Sequence, residues 1–125
     1  MNLQELQAKF KSLNAVDDLL QLLSADENKH AYINGAVGAS MAFLAASIIS
    51  ELYGTHLIVL NDKEEAAYFQ NDLESLIGEG SVQFFPASYR FPYQEDHTDN
   101  SNVLQRAEVL HDFNRNRKQH LIVTY

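Results

Sequence analysis

Three apolar runs constrain this chain most: His56-Leu57-Ile58-Val59-Leu60, Ser81-Val82-Gln83-Phe84-Phe85 and Gln119-His120-Leu121-Ile122-Val123-Thr124-Tyr125. The first and last are apolar runs of the buried type, the pattern of strands covered on both faces of a parallel sheet, and the middle one reads as a further strand. Parallel strands need long crossover connections, and the intervening segments supply helical periodicity. After the first run, Asp62 is placed to cap a helix and Glu65 completes a capping-box pattern. Ala66, Phe69, Leu73 and Leu76 share its inward face, and Gly78 closes it. After the second run, Pro86 ends the strand, and residues 87–102 read as a loop with a polar stretch from Gln94 to Asn102. A helix follows with Val103, Ala107, Leu110 and Phe113 or Asn114 on its inward side; Arg106, Glu108, Asp112 and Arg115 fall off that stripe. A fourth short strand is expected at Ala31-Tyr32-Ile33-Asn34, leading through a glycine turn into an Ala- and Leu-rich helix from Ala39 to Tyr53. Strands alternating with helices predict a three-layer α/β domain with right-handed connections.

Residues 3–23 precede this pattern. Leu3, Leu6, Phe10 and Leu13 fall on one helical face, and Val16, Leu19, Leu20 and Leu23 form a second set. The polar stretch Asn14 to Asp18 divides them, with Asn14 a plausible cap. The expected organisation is a helical segment over 1–29 and an α/β region over 30–125. The chain stops on an apolar strand where a parallel sheet normally continues into a covering helix, so it reads as a domain cut short at its C-terminal end.

Composition narrows the chemistry. Seventeen Asp and Glu against nine Lys and Arg give a net charge of −8, which argues against a general binder of the nucleic-acid backbone. The chain has no Cys, so disulfides, thiolate metal sites and Cys nucleophiles are excluded. The five His are scattered; His97 lies near Asp96 and Asp99 in what reads as a solvated loop, and no metal site is expected. The apolar-leaning stretch Ala36–Ile49 is too short for the ~20 residues of a membrane span, and Met1-Asn2-Leu3-Gln4-Glu5 is not a secretory start. A cytoplasmic protein without a membrane partner is expected.

The turn Gly35-Ala36-Val37-Gly38-Ala39-Ser40-Met41-Ala42 occupies the strand-to-helix position where α/β proteins cradle phosphates. A working phosphate loop, G-x-x-x-x-G-K-[ST], needs a second Gly, a Lys for the β/γ oxygens and a hydroxyl for Mg²⁺. Here Ser40, Met41 and Ala42 stand in those three places. Hydrogen bonds to charged groups are worth roughly 1.5–3 kcal/mol each, so losing the Lys alone weakens binding more than tenfold. Gly35 and Gly38 then serve a tight turn and close packing, although anion binding on the amides of Ala39 and Ser40 stays open. No catalytic residue and no cofactor is expected for this segment. Ser40 has no local base, and Ser47 and Ser50 lie on the helix, so a hydrolytic triad is unsupported.

The aromatic segment is the other candidate. Phe85, Pro86, Tyr89, Arg90, Phe91, Pro92 and Tyr93 have the composition of an interaction loop, with a loop folded onto its own domain as the alternative. The basic cluster Arg115, Arg117 and Lys118 suits a helix C-terminus without any partner.

The order of these motifs — a degenerate phosphate loop, a strand ending Phe85-Pro86, then Pro92-Tyr93, and a helix bearing Arg106 — resembles the N-terminal region of the bacterial transcription-repair coupling factors (Mfd). The resemblance covers roughly residues 30–125. The family usually places a Ser-Pro in the loop where this chain has His97-Thr98-Asp99. The resemblance implies an excinuclease-B-like, degenerate P-loop NTPase (helicase-like) domain, with Gly35 and Gly38 retained from the ancestral loop and Arg106 joining the interaction loop. It further implies a much longer parent whose separate motor domains use ATP and Mg to translocate on duplex DNA. That parent displaces stalled RNA polymerase and recruits excinuclease A through an adjoining domain. In this setting the segment is a non-catalytic scaffold in nucleotide-excision repair, packed against other domains of its own chain. Two alternatives stand beside it: a nucleotide-dependent enzyme domain with an unusual phosphate loop, and direct DNA binding through Arg90, Arg106 and the Arg115–Lys118 cluster.

Overall fold

Parallel pairing organises the strands. The computed structural model describes residues 1–25, 28–87, 100–115 and 119–125. In chain order it contains α1 (Leu3–Lys11), α2 (Asn14–Leu23), α3 (Ser40–Glu51), β1 (Gly54–Val59), α4 (Lys63–Ile77), β2 (Gln83–Phe85), α5 (Asn100–Phe113) and β3 (Gln119–Thr124). The sheet has three strands in the order β1-β3-β2, and both pairings are parallel. The mixed α/β class expected from the strand–helix alternation is therefore present.

The residues divide into two compact units, 1–53 with 71–79, and 54–70 with 80–125. In the first, α1, α2 and α3 pack together, and Phe10 meets Phe43 at 5.7 Å between ring centroids. Asn2 caps α1: its side chain accepts from the Glu5 amide at 2.8 Å while the Glu5 carboxylate accepts from the Asn2 amide. Asn14 is not the cap of the second helix but its first residue, after Leu13. Leu13 occupies the cap position with no side-chain bond, so the break is made by backbone geometry alone.

In the second unit β3 is central, and His120, Leu121, Ile122 and Val123 are all buried. Asp62 caps the helix after β1 as its sequence predicts, but the return arm of Glu65 reaches one residue further back, to Asn61. The Glu65 amide donates to Asp62 Oδ1 at 2.8 Å, and the Asn61 amide donates to Glu65 Oε2 at 3.0 Å. Along α4, Ala66 and Leu73 are buried, and Gly78 ends the helix with φ 116°.

Three expectations fail. Ala31–Asn34 is not a strand: all four residues are exposed, Tyr32 to 92%, so the run gains none of the burial that would offset the cost of ordering it. β1 is not covered on both faces. It is an edge strand whose residues alternate, with Leu57 and Val59 exposed. The third concerns α5, which begins at Asn100, inside the expected loop, and buries Val109 while half-burying Asn102, Arg106 and Asp112. Its apolar stripe, Val103, Leu110 and Phe113, is exposed instead. The polar face turns inward because β2 offers it partners: Gln83 Nε2 donates to Asp112 Oδ2 at 2.9 Å, and Arg106 is held at the strand's end.

Leu73 is fully buried and Tyr68, on the same helix, is 72% exposed. Leu73→Ala should lower unfolding free energy by about 2–5 kcal/mol, whereas Tyr68→Ala should change it by less than about 0.5 kcal/mol. Urea denaturation of the two variants checks both.

Candidate functional site

Two features were weighed as sites, the glycine turn, expected to lack phosphate chemistry, and the aromatic segment, and the structure treats them differently. The glycine turn forms and opens α3. Gly35 and Gly38 take φ of 82° and 54°, the left-handed region that a Cβ disfavours. Neither would meet an atom within 4 Å if it carried a Cβ, so the dihedral angles, and not close packing, call for glycine. The Ser40 hydroxyl accepts from the Val37 amide at 2.8 Å and donates to the Val37 carbonyl at 2.8 Å. The Ser40 amide donates to Val37 O at 3.2 Å and the Met41 amide to Gly38 O at 3.3 Å. Of the two amides open to an anion, that of Ser40 is thus already used within the turn. Met41 presents an uncharged side chain, 43% exposed, and Ala42 is buried. The chemical groups that grip a triphosphate have no counterpart among these side chains.

Phe85, Pro86 and Arg106 are brought together. Arg106 comes from the middle of α5 and reaches the carboxyl end of β2. Its Nη1 donates to the Pro86 carbonyl at 2.8 Å, and its Cζ stands 4.3 Å from the Phe85 ring centroid. Pro86 is fully buried. The Phe85 carbonyl accepts from Thr124 Oγ1 at 2.7 Å, tying the ends of β2 and β3. Phe84 packs on Tyr125 with ring centroids 5.9 Å apart. Arg106 is therefore committed to its own fold, as hydrogen-bond donor and as cation over an aromatic face. The remaining loop candidates, Tyr89, Arg90, Phe91, Pro92 and Tyr93, lie outside the described residues.

The other candidates resolve simply. Ser47 and Ser50 donate to the carbonyls of Phe43 and Ser47 at 2.8 and 2.9 Å, spending their hydroxyls on the helix. Arg115 pairs with Asp112 at 3.4 Å; Arg117 and Lys118 lie outside the described residues, as do Asp96, His97 and Asp99. Among the described residues no group of His, Asp and Glu could hold a metal, and no helix is long and apolar enough to cross a membrane. A groove of about 440 Å³ in the first unit is lined by Lys11, Asp17, Leu20 and Glu51. Its cation is paired, Lys11 with Glu51. Sequence reading missed the Gln83–Asp112 and Thr124–Phe85 links, 29 and 39 residues apart, because nothing in local spacing signals a bond across strands.

With this geometry in hand, comparison with known proteins adds one relationship. The chain is similar to UvrABC system protein B. It is 32% identical to the Synechocystis sp. protein over 82 residues, 66% of this chain and 12% of that protein. It is 24% identical to the Anaplasma marginale (strain Florida) protein over 96 residues, 77% of this chain and 15% of that protein. The chain thus spans about an eighth of the curated relatives it matches. No protein-family model and no solved structure matches it. The similarity supports an excinuclease-B-like domain.

Arg106→Ala should cost about 1–3 kcal/mol of stability, because the Pro86 carbonyl loses a charged donor and Phe85 its stacked cation. Arg106→Lys should recover only part of this, since an ammonium lacks the planar fork. Chemical denaturation of the pair measures the difference.

Proposed function

We propose that residues 1–125 are a non-catalytic, excinuclease-B-like module of a transcription-repair coupling factor, working in nucleotide-excision repair in the cytoplasm. The observation that carries the reading is the glycine turn. In a chain similar to UvrABC system protein B, Gly35 and Gly38 take left-handed angles just before α3, yet Ser40, Met41 and Ala42 stand where chemistry on a triphosphate requires Gly, Lys and a hydroxyl. A P-loop-derived segment without that chemistry serves as a scaffold. ATP hydrolysis with Mg, travel along duplex DNA and displacement of RNA polymerase then belong to motor and polymerase-binding domains elsewhere in a longer parent. Excinuclease A is recruited through a domain adjoining this one. The net charge of −8 fits a module that leaves DNA contact to other parts. The internal commitment of Arg106 removes one of the cations a direct DNA contact would use.

Calorimetric titration of the chain with Mg-ATP should give no saturable heat up to millimolar nucleotide. Binding at millimolar or tighter affinity would instead support a nucleotide-dependent enzyme domain. In the full-length parent, excinuclease A should be retained in a pull-down, and its absence from the bound fraction would sink the recruitment reading.

A further inference from the structure

Asn34 is followed by Gly35, and no other Asn or Asp in the chain is followed by glycine. The pair lies in the first unit, in a stretch that forms neither helix nor strand, and both residues are exposed. Among the described residues nothing hydrogen-bonds to the Asn34 side chain or to the Gly35 amide. Gly35 has φ 82°, and a Cβ built on it would meet no atom within 4 Å. The space beside its main chain is therefore empty. The side-chain bonds that close the turn join Ser40 to Val37, so they do not hold the pair that precedes them.

These are the conditions for ring closure between an asparagine side chain and the next main-chain nitrogen. Glycine offers that nitrogen with no Cβ beside it. A backbone with no helix or ladder bonds to break can bring it up to the side-chain carbonyl. Other asparagines lack one condition or the other. Asn61 is exposed, but its Nδ2 donates to Glu65 Oε2 at 2.7 Å and Asp62 follows it. Asn2 Oδ1 is engaged by the Glu5 amide, and Asn14, Asn71 and Asn102 lie in helices. Asn28 is exposed and outside any helix or strand, yet Lys29 follows it, and a side chain there crowds the attacking nitrogen.

We propose that Asn34-Gly35 is a covalent modification site, where asparagine deamidates spontaneously at the entrance to the glycine turn. The Gly35 nitrogen gives up its proton and bonds to Asn34 Cγ. The Cγ–Nδ2 bond breaks, and Nδ2 leaves as ammonia carrying one proton more. The succinimide so formed takes up one water from the solvent. Opening at Cγ restores the ordinary main chain with an aspartyl side chain. Opening at the main-chain carbonyl leaves an isoaspartyl link, in which the chain runs through Cβ and Cγ. Oxygen replaces nitrogen with no change of oxidation state, so water is the one co-reactant. Either product adds a negative charge to the −8 of the chain, and the isoaspartyl link lengthens the main chain by one carbon directly before Gly35.

The 125-residue chain, aged in mildly alkaline buffer both native and in guanidinium chloride, tests this by tryptic mass spectrometry. Trypsin releases residues 30–63, a peptide that carries Asn34 and Asn61 together. The expected product is heavier by about 1 Da, with fragment ions placing the change at Asn34. Its native rate should lie within about fivefold of the unfolded rate, because no structure protects the pair. Asn28 and Asn61 should convert at least about tenfold more slowly than Asn34 in the native chain. Isoaspartyl methyltransferase with labelled S-adenosylmethionine should load methyl groups onto the aged chain and not onto Asn34→Gln, whose longer side chain must close a six-membered ring. A native rate more than about fivefold below the unfolded one overturns the proposal. So does labelling of the Asn34→Gln variant equal to that of the parent, or conversion of Asn28 or Asn61 as fast as Asn34.

Discussion

The second unit depends on β3 being paired on both sides. It is the last strand in sequence and the middle one in space, so β1 and β2 have no ladder until it arrives. Local contacts cannot hold the earlier strands, because a parallel partner must come from beyond a crossover helix. Once β3 is in place, Leu121 and Val123 fill one face, and Thr124 reaches across to the Phe85 carbonyl. Arg106 closes the same end from above. The carboxyl end of the sheet is thus held by three bonds from side chains or main chain: Thr124 to Phe85, Arg106 to Pro86, and the Leu60 amide to the Thr124 carbonyl.

What was legible in the sequence follows from this. The strands at 54–59, 83–85 and 119–124 fall on the apolar runs read at 56–60, 81–85 and 119–125, with ends shifted by up to two residues, because parallel strands have strongly apolar sequences. The start of α4 at Asp62 and Glu65 could be read to the residue, since a capping box is a local device. Ala31–Asn34 has the same local character as the real strands but no ladder, and pairing is not written in four residues. The inverted face of α5 was illegible for a different reason. Periodicity reports where apolar residues recur, and burial went to Asn102, Arg106, Val109 and Asp112 because polar partners awaited them on β2.

The two candidate sites separate into chemistry and mechanics. Arg106, grouped by sequence with an interaction loop, is a bracket between a helix and the end of a strand. The glycine turn sets left-handed angles at Gly35 and Gly38 before α3 and carries an uncharged Met41 and a buried Ala42.

The turn at Gly35–Ser40 carries its own closure. Its hydroxyl bonds back to Val37 twice, and two of its amides are taken by carbonyls of the same turn. Its glycines answer to main-chain angles, so a side chain at either position would strain the entry to α3 even though open space surrounds it.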